Sequence, residues 1–260
     1  MQKLIAPIHK LVNDIAAGHF NDPRQRFKDL DIKGLNQLVT DMDVQVEREL
    51  VDGLNGILPE AGFLTEEKTT AQSQLGSRWI IDPIDGTTNF VHGVPVYAIS
   101  IALEVDKRVE LGAVFELNRR EFFHAVRGKG AFLNDERIKV AEHEKLDDTL
   151  IATGFPYYDF ERTSKYLKAL EQFMKHTRGV RRLGSAAMDL AYVACGMFDA
   201  FFEYSLSPWD VAGGSLLVEE AGGLITDFAG GSDYIYGKEI IAAQPKVMAD
   251  VRSIIEAAFD

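Results

Sequence analysis

Trp79-Ile80-Ile81-Asp82-Pro83-Ile84-Asp85-Gly86-Thr87-Thr88-Asn89 is the stretch on which the reading of this chain turns. Its apolar start reads as a strand that carries Asp82 to its carboxyl end, where ligands of α/β proteins commonly bind. Pro83 biases Asp82 toward an extended conformation and fixes its own φ, so the turn is stiff and Asp82 and Asp85 can face the same space. Gly86 lets the backbone approach a ligand, and the N–H groups of Gly86, Thr87 and Thr88 are placed to open a helix. The first turn of a helix binds anions such as phosphate. Turn chemistry alone explains a lone Asp-x-x-Asp-Gly, with Asp85 as an ordinary N-cap. The preceding strand and the tandem threonines make the whole string far more specific.

Outward from this stretch the hydrophobic period changes twice. Leu4, Ile8, Leu11 and Ile15 recur at helical spacing and predict an opening amphipathic helix. Val46, Leu50, Leu54 and Ile57 predict a second helix over about 42–57, with Thr40 and Asp43 in a capping-box pattern at its start. Strands are expected at 79–81, 96–105, 111–117 and 121–126, with a hairpin turn at Asn118-Arg119-Arg120 and a break at Gly128-Lys129-Gly130. After about residue 145 the pattern alternates. Helices are expected at 162–175, 185–194, 210–221 and 246–258, with short strands at 200–203, 224–227 and 240–242 between them. Gly196 and Gly222-Gly223 end helices, and Pro245 is expected at the first position of the last one. A helix-and-hairpin half followed by an alternating half predicts layered α+β or α/β structure. The expected subdomains are 1–146, with the acidic turn, and 147–260, completing the site.

The composition, 46% hydrophobic and 26% charged over 260 residues, suits a soluble globular protein with a sizeable core. A net charge of −12 argues against a nucleic-acid partner, which needs a basic stripe. An acidic protein that handles phosphate must supply positive charge locally, from side chains or bound metal. Cys195 is the single cysteine, so no intramolecular disulfide or cysteine-based zinc site is expected, in keeping with a reducing compartment. Pro7, His9, Asn13 and Asp14 interrupt any apolar leader, and no run approaches the roughly 18 apolar residues of a membrane span. The expectation is a cytoplasmic protein without a membrane partner.

Other carboxylates lie along the chain. Glu66-Glu67 follows Leu64-Thr65, and Asp210 begins a predicted helix within Ser207-Pro208-Trp209-Asp210-Val211-Ala212-Gly213-Gly214. Alone, the first is a surface acidic pair and the second an N-cap. Asp43 shares that ambiguity. Hard divalent cations need oxygen ligands, and a carboxylate from outside the turn is what Asp82 and Asp85 lack.

Taken together, Thr65-Glu66-Glu67, Asp82 to Phe90, Trp209-Asp210-Val211-Ala212-Gly213 and Glu219-Glu220-Ala221-Gly222-Gly223 resemble the inositol monophosphatase family. Leu38 to Asp43 and Arg181 to Ala187 also match its pattern, so the resemblance covers nearly the whole chain in order. It implies the αβαβα sandwich shared with fructose-1,6-bisphosphatase, and Mg²⁺-dependent hydrolysis of a small phosphorylated polyol or sugar. By that resemblance Glu67, Asp82 and the Ile84 carbonyl hold one Mg²⁺, and Asp82, Asp85 and Asp210 a second. A third, weaker ion sits on Glu67. Thr87, paired with Asp43, orients the attacking water, and Gly86 and Thr87 offer N–H groups to phosphate. Gly184, Ser185, Ala186, Glu203 and Asp210 match the polyol side of the family's pocket. A homodimer and lithium sensitivity are further implications.

The charges fit this reading. Four carboxylates of about −4 and a phosphate of about −2 are offset by roughly three Mg²⁺ ions. Thr is a poor base, so its hydroxyl serves as a relay while metal supplies most of the activation. Inositol monophosphate leads. Fructose 1,6-bisphosphate, histidinol phosphate and 3′-phosphoadenosine 5′-phosphate are alternatives within the same chemistry, and a non-catalytic cation-binding module is an alternative outside it. His92 is read as satisfying a local hydrogen bond, and Cys195 as a helix-end core residue. Asp199 is read as shaping a turn. Arg178, Arg181 and Arg182 are read either as aids to an anionic substrate or as a solvated face. Phe155-Pro156-Tyr157-Tyr158 is either a substrate-side loop or packing between the halves.

Overall fold

A computed structural model describes residues 1–21, 30–34, 37–73, 76–156 and 159–259, with the backbone alone for 30–34 and 37–40. The Thr40 capping box and Tyr157-Tyr158 therefore lie outside the described side chains. The chain opens with α1 (Ile5–His19), a β1–β2 hairpin (Leu30–Gly34, Gln37–Thr40) and α2 (Asp41–Ile57). There follow β3 (Gly62–Thr65), β4 (Ser77–Asp85), the short α3 (Thr87–His92), β5 (Ala98–Val105), β6 (Arg108–Glu116), β7 (Glu121–Val126), β8 (Gly130–Leu133) and β9 (Glu136–Ile138). Strands β3 to β9 form one seven-stranded sheet in sequence order, antiparallel except for the parallel β3–β4 pair.

The remainder supplies β10 (Leu150–Thr153), α4 (Thr163–His176), β11 (Gly179–Arg181), α5 (Ala186–Ala194), β12 (Ala200–Tyr204), α6 (Pro208–Glu220), β13 (Leu224–Thr226), β14 (Glu239–Ala243) and α7 (Met248–Phe259). Its sheet runs β11-β10-β12-β14-β13. The expected seam at 146 falls between the last strand of one sheet and the first of the other. Pro245 does not open the last helix. The Gln244 side chain accepts the Lys246 N–H at 2.8 Å in a turn, and α7 starts at Met248. Sequence reasoning missed β3, β8 to β11 and the β1–β2 hairpin, all five residues or shorter and too brief to display a period.

Alternation along the strands sorts the core into three apolar layers. Trp79 and Ile81 point toward α1 and α2, where they meet Ile8, Val12, Val46 and Leu50. Ile80 points the other way, into the cluster of α5 and α6. In the second sheet Phe201, Ile240 and Ala242 join that same middle cluster, whereas Phe202, Ile241 and Ala243 face Phe173 of α4 and Val251 of α7. The architecture is an αβαβα sandwich. Helix α5 lies between two sheets, and every one of its residues is buried. A helix flanked on both sides presents no face to solvent, and here Asp189 alone among its residues carries a charged group.

Two adjacent glycines let α6 sit that deep. A Cβ on Gly213 would come within 3.0 Å of the Ile101 carbonyl, and one on Gly214 within 2.5 Å of Leu190 Cβ. One glycine thus faces the first sheet and the next faces α5. The Ser100 hydroxyl donates to the Trp209 carbonyl at 3.0 Å, which ties the start of α6 to β5 opposite Asp82.

Candidate active site

The acidic turn of β4 is a β-bulge. Asp82 pairs with Ser100 and Asp85 with Ala98, so three steps on β4 span two on β5. In a regular strand, residues three apart point to opposite faces. One extra residue at Pro83-Ile84 restores the parity, and both carboxylates reach the same side. Asp82, Asp85 and Asp210 each offer an oxygen within 4.8 Å of the others. Asp210 stands third in α6 rather than at its cap. Ser207 is the N-cap, and its N–H donates to Asp210 Oδ2 at 2.7 Å.

Asp85 does not cap α3 either. That helix starts from Gly86, held at φ 96°, where a Cβ would approach the Val96 and Gly184 carbonyls at 3.0 and 3.1 Å. Asp85 instead accepts the Ser185 hydroxyl at 2.7 Å and the Ala187 N–H at 2.6 Å, at the start of α5. Thr87 Oγ1 lies 2.9 Å from both Asp43 Oδ1 and the Ile84 carbonyl, and Asp43 is buried.

The glutamate that lies against Asp82 is not the one expected as a ligand. Strand β3 runs parallel to β4 with Thr65 beside Ile81, so the next residue, Glu66, falls beside Asp82. The Glu66 N–H donates to the Ile81 carbonyl at 3.3 Å, and the Glu66 carboxyl shares a hydrogen bond with Asp82. Glu67 lines the wall, but the hydrogen bond to Asp82 belongs to its neighbour. The loop is held by a residue that sequence reasoning overlooked. Glu47 of α2, fully buried, accepts the Glu67 N–H at 2.6 Å, the Thr69 N–H at 2.7 Å and the Thr65 hydroxyl at 2.9 Å.

These groups open onto a cavity of about 520 Å³. Gly86, Thr87 and Thr88 form one end of the lining, and Gly154, Gly184, Ser185, Ala186 and Glu203 another part of it. Arg182 also lines it, its guanidinium 5.5 Å from the centre of the Phe155 ring. The other arginines do not: Arg178 pairs with Asp148 at 2.8 Å on the surface, and Arg181 is exposed. His92 is exposed, Cys195 ends α5, and Asp199 accepts the Leu150 N–H at 2.9 Å ahead of β12.

Crowding dominates the electrostatics. Burial pushes Asp85 up to about 6, against the pull of Ser185, two helix N–H groups and Arg182. Burial and then Asp85 push Asp210 up to about 7. Asp82 is held well above the usual carboxylate range by burial, then Glu66, Asp85 and Asp210, and Glu66 by burial, then Asp210 and Glu67. Such a cluster either keeps protons or takes a cation. Among the described residues the lining offers oxygen donors without imidazole or thiol, a set that suits a hard divalent ion.

Comparison with known proteins agrees with this geometry. The sequence pattern of the inositol monophosphatase family matches residues 5–257, and the chain belongs to that family. A putative Nus factor SuhB of Neisseria meningitidis serogroup B is 44% identical over 228 residues, 87% of this chain and 87% of the relative. The crystal structure of extragenic suppressor protein suhB from Bartonella henselae superposes with a TM-score of 0.92 at 36% identity, covering 98% of both chains. The IMPase of Thermotoga maritima superposes with a TM-score of 0.87 at 34% identity, covering 99% of this chain and 98% of its own. Among the described residues no helix is long and apolar enough to cross a membrane.

Proposed function

We propose that the chain is a Mg²⁺-dependent phosphatase of small phosphorylated polyols, with inositol monophosphate as its leading substrate. The observation that carries this reading is the convergence of Asp82, Asp85 and Asp210 beside the Thr87–Asp43 pair. Asp82, Asp85, Asp210, the Ile84 carbonyl and Glu66 would hold the metal. Bound there, divalent ions lower the pKa of water and offset negative charge on phosphate and leaving oxygen. Thr87 donates its one hydroxyl hydrogen to Asp43 and keeps lone pairs to accept a hydrogen from water, fixing that water's orientation. The N–H groups of Gly86 and Thr87 face the phosphate, and the alcohol lies toward Ser185, Ala186 and Glu203. Overall, water adds its oxygen to phosphorus, and the P–O bond to the alcohol breaks as that oxygen takes up a proton.

Phosphate release with Mg²⁺ across inositol monophosphate, fructose 1,6-bisphosphate, histidinol phosphate and 3′-phosphoadenosine 5′-phosphate tests the reading. Highest kcat/KM for the inositol ester is expected, and turnover of none would overturn it. Asp85→Asn is expected to abolish release while leaving the fold intact. A homodimer and inhibition by lithium extend the reading, checked by sedimentation and by titrating lithium into the same assay.

A second role is favoured by the 44% identity to a putative Nus factor. Such a role would add a partner in transcription to the hydrolytic activity. Asp85→Asn separates the two: full complementation of a strain lacking the protein by this variant is the outcome expected of a role independent of hydrolysis.

A further inference from the structure

Asp189 takes no part in the chemistry above. It is the fourth residue of α5, one turn beyond Ser185, and the only charged residue in that helix. It is 1% exposed, yet it lines the cavity. Its Oδ1 has no hydrogen-bond partner among the described residues. An unmade hydrogen bond on a buried acceptor is costly, and more so on a charged one. Native chains rarely carry such an atom unless a ligand, ion or water completes it.

Its surroundings define what can complete it. Burial holds the Asp189 carboxyl well above the usual carboxylate range, Glu203 and Asp85 add to that push, and Arg182 opposes it. Glu203 is itself 6% exposed and packs so closely on Gly154 that a Cβ there would collide with the carboxyl. The glycine keeps that space for the acid. A phosphate oxygen offers an acceptor no hydrogen and adds negative charge beside Glu203 and Asp85, whereas a hydroxyl donates to Oδ1 and can also accept from the carboxyl when it holds its proton. Arg182 already balances part of the negative charge.

We propose that Asp189 is a specificity residue, which with Glu203 accepts hydroxyl hydrogens from the alcohol half of the substrate and so selects phosphates of polyols with at least two free hydroxyls. This rests on the phosphatase reading. Turnover of p-nitrophenyl phosphate, which has no hydroxyl to offer, separates the two. In Asp189→Ala, kcat/KM for inositol monophosphate is expected to fall about 3- to 10-fold, the net worth of a buried hydrogen bond. The loss should sit mainly in KM, with p-nitrophenyl phosphate turnover within about twofold of the parent. Asp189→Asn, which keeps one acceptor oxygen, should recover part of the loss. Thermal melts of both variants check folding, and calorimetric titration of inositol monophosphate without turnover reports the binding loss directly. Equal loss on both substrates, no loss on either, or a parent preference for an aminoalcohol phosphate over the polyol would overturn the assignment. A parent that hydrolyses neither substrate would overturn the phosphatase reading and this one with it.

Discussion

The Ser185 hydroxyl donates to Asp85 Oδ2 at 2.7 Å, joining residues one hundred positions apart. Ser185 is also the N-cap of α5, accepting the Met188 N–H at 3.3 Å. Asp85 therefore leaves its own sheet to sit at the positive end of a helix from the other half of the chain, where N–H groups and the dipole favour its ionised form.

Removing that hydroxyl should be felt by the cation. Ser185→Ala is expected to weaken Mg²⁺ binding about 10- to 100-fold, the usual effect of losing a group that orients a ligand. The lost cap adds about 1 kcal/mol of destabilisation. Ser185→Thr restores both hydrogen bonds and should restore affinity. Calorimetric titration of Mg²⁺ into the three proteins checks this, and unchanged affinity in the alanine variant would contradict it.

Acidity should stabilise the metal-free protein. Asp85 near 6 and Asp210 near 7 lie above the roughly 4 of an unfolded aspartate. A raised pKa favours the folded state at low pH, and that contribution is lost as pH rises through about 6 to 7. Without metal, Tm should fall between pH 5.5 and pH 8. Mg²⁺ at about one hundred times its Kd should add about 2.7 kcal/mol, or roughly 5–10 °C, at pH 8. The gain should shrink toward pH 5.5 as protons compete. Thermal melts with and without Mg²⁺ across this range check both trends.

On the proposed reading, Thr87, hydrogen-bonded to Asp43, orients water rather than holding metal. Thr87→Ala is expected to lower kcat about 10²- to 10⁴-fold with little change in KM or in Mg²⁺ affinity. Thr87→Ser keeps the hydroxyl and should stay within about tenfold of the parent. Steady-state kinetics on inositol monophosphate distinguish this from a loss of metal, which higher Mg²⁺ would partly repair.

The two adjacent glutamates should behave differently. Glu66→Gln is expected to raise the Mg²⁺ needed for half-maximal activity at least about tenfold, and Glu67→Gln by less than about threefold. Metal titrations of activity decide between them. The reverse ranking would return the ligand role to Glu67.

Much of this was legible before any coordinates. The tandem of Asp82 and Asp85 declared a shared space, and the apolar spacing of Val46, Leu50 and Leu54 declared α2. The mechanism that joins Asp82 and Asp85 was not legible, because a bulge is a mismatch between two strands and one strand cannot display it. The same limit caused the exchange of Glu66 for Glu67. Only the parallel register of Thr65 with Ile81 says which of the pair meets Asp82. Glu47 and Asp189 did leave a trace. Glu47 falls at helical spacing with Leu50 and Leu54 despite its polar neighbours Arg48 and Glu49, and Asp189 stands between Met188 and Leu190 in an otherwise apolar helix. An acid in such a place has to be explained by what it binds.

The middle helical layer makes the cation site an assembly rather than a motif. Asp82 and Asp85 emerge early in synthesis, but Asp210 and the α5 groups that steady Asp85 belong to the last third of the chain. A ribosome-bound chain that has finished only the first sheet holds Glu66, Asp82 and Asp85 without Asp210 or the α5 groups. On the proposed reading, metal affinity is expected to rise once the second sheet closes over α5 and α6, so that ion binding would report that translation and docking are complete.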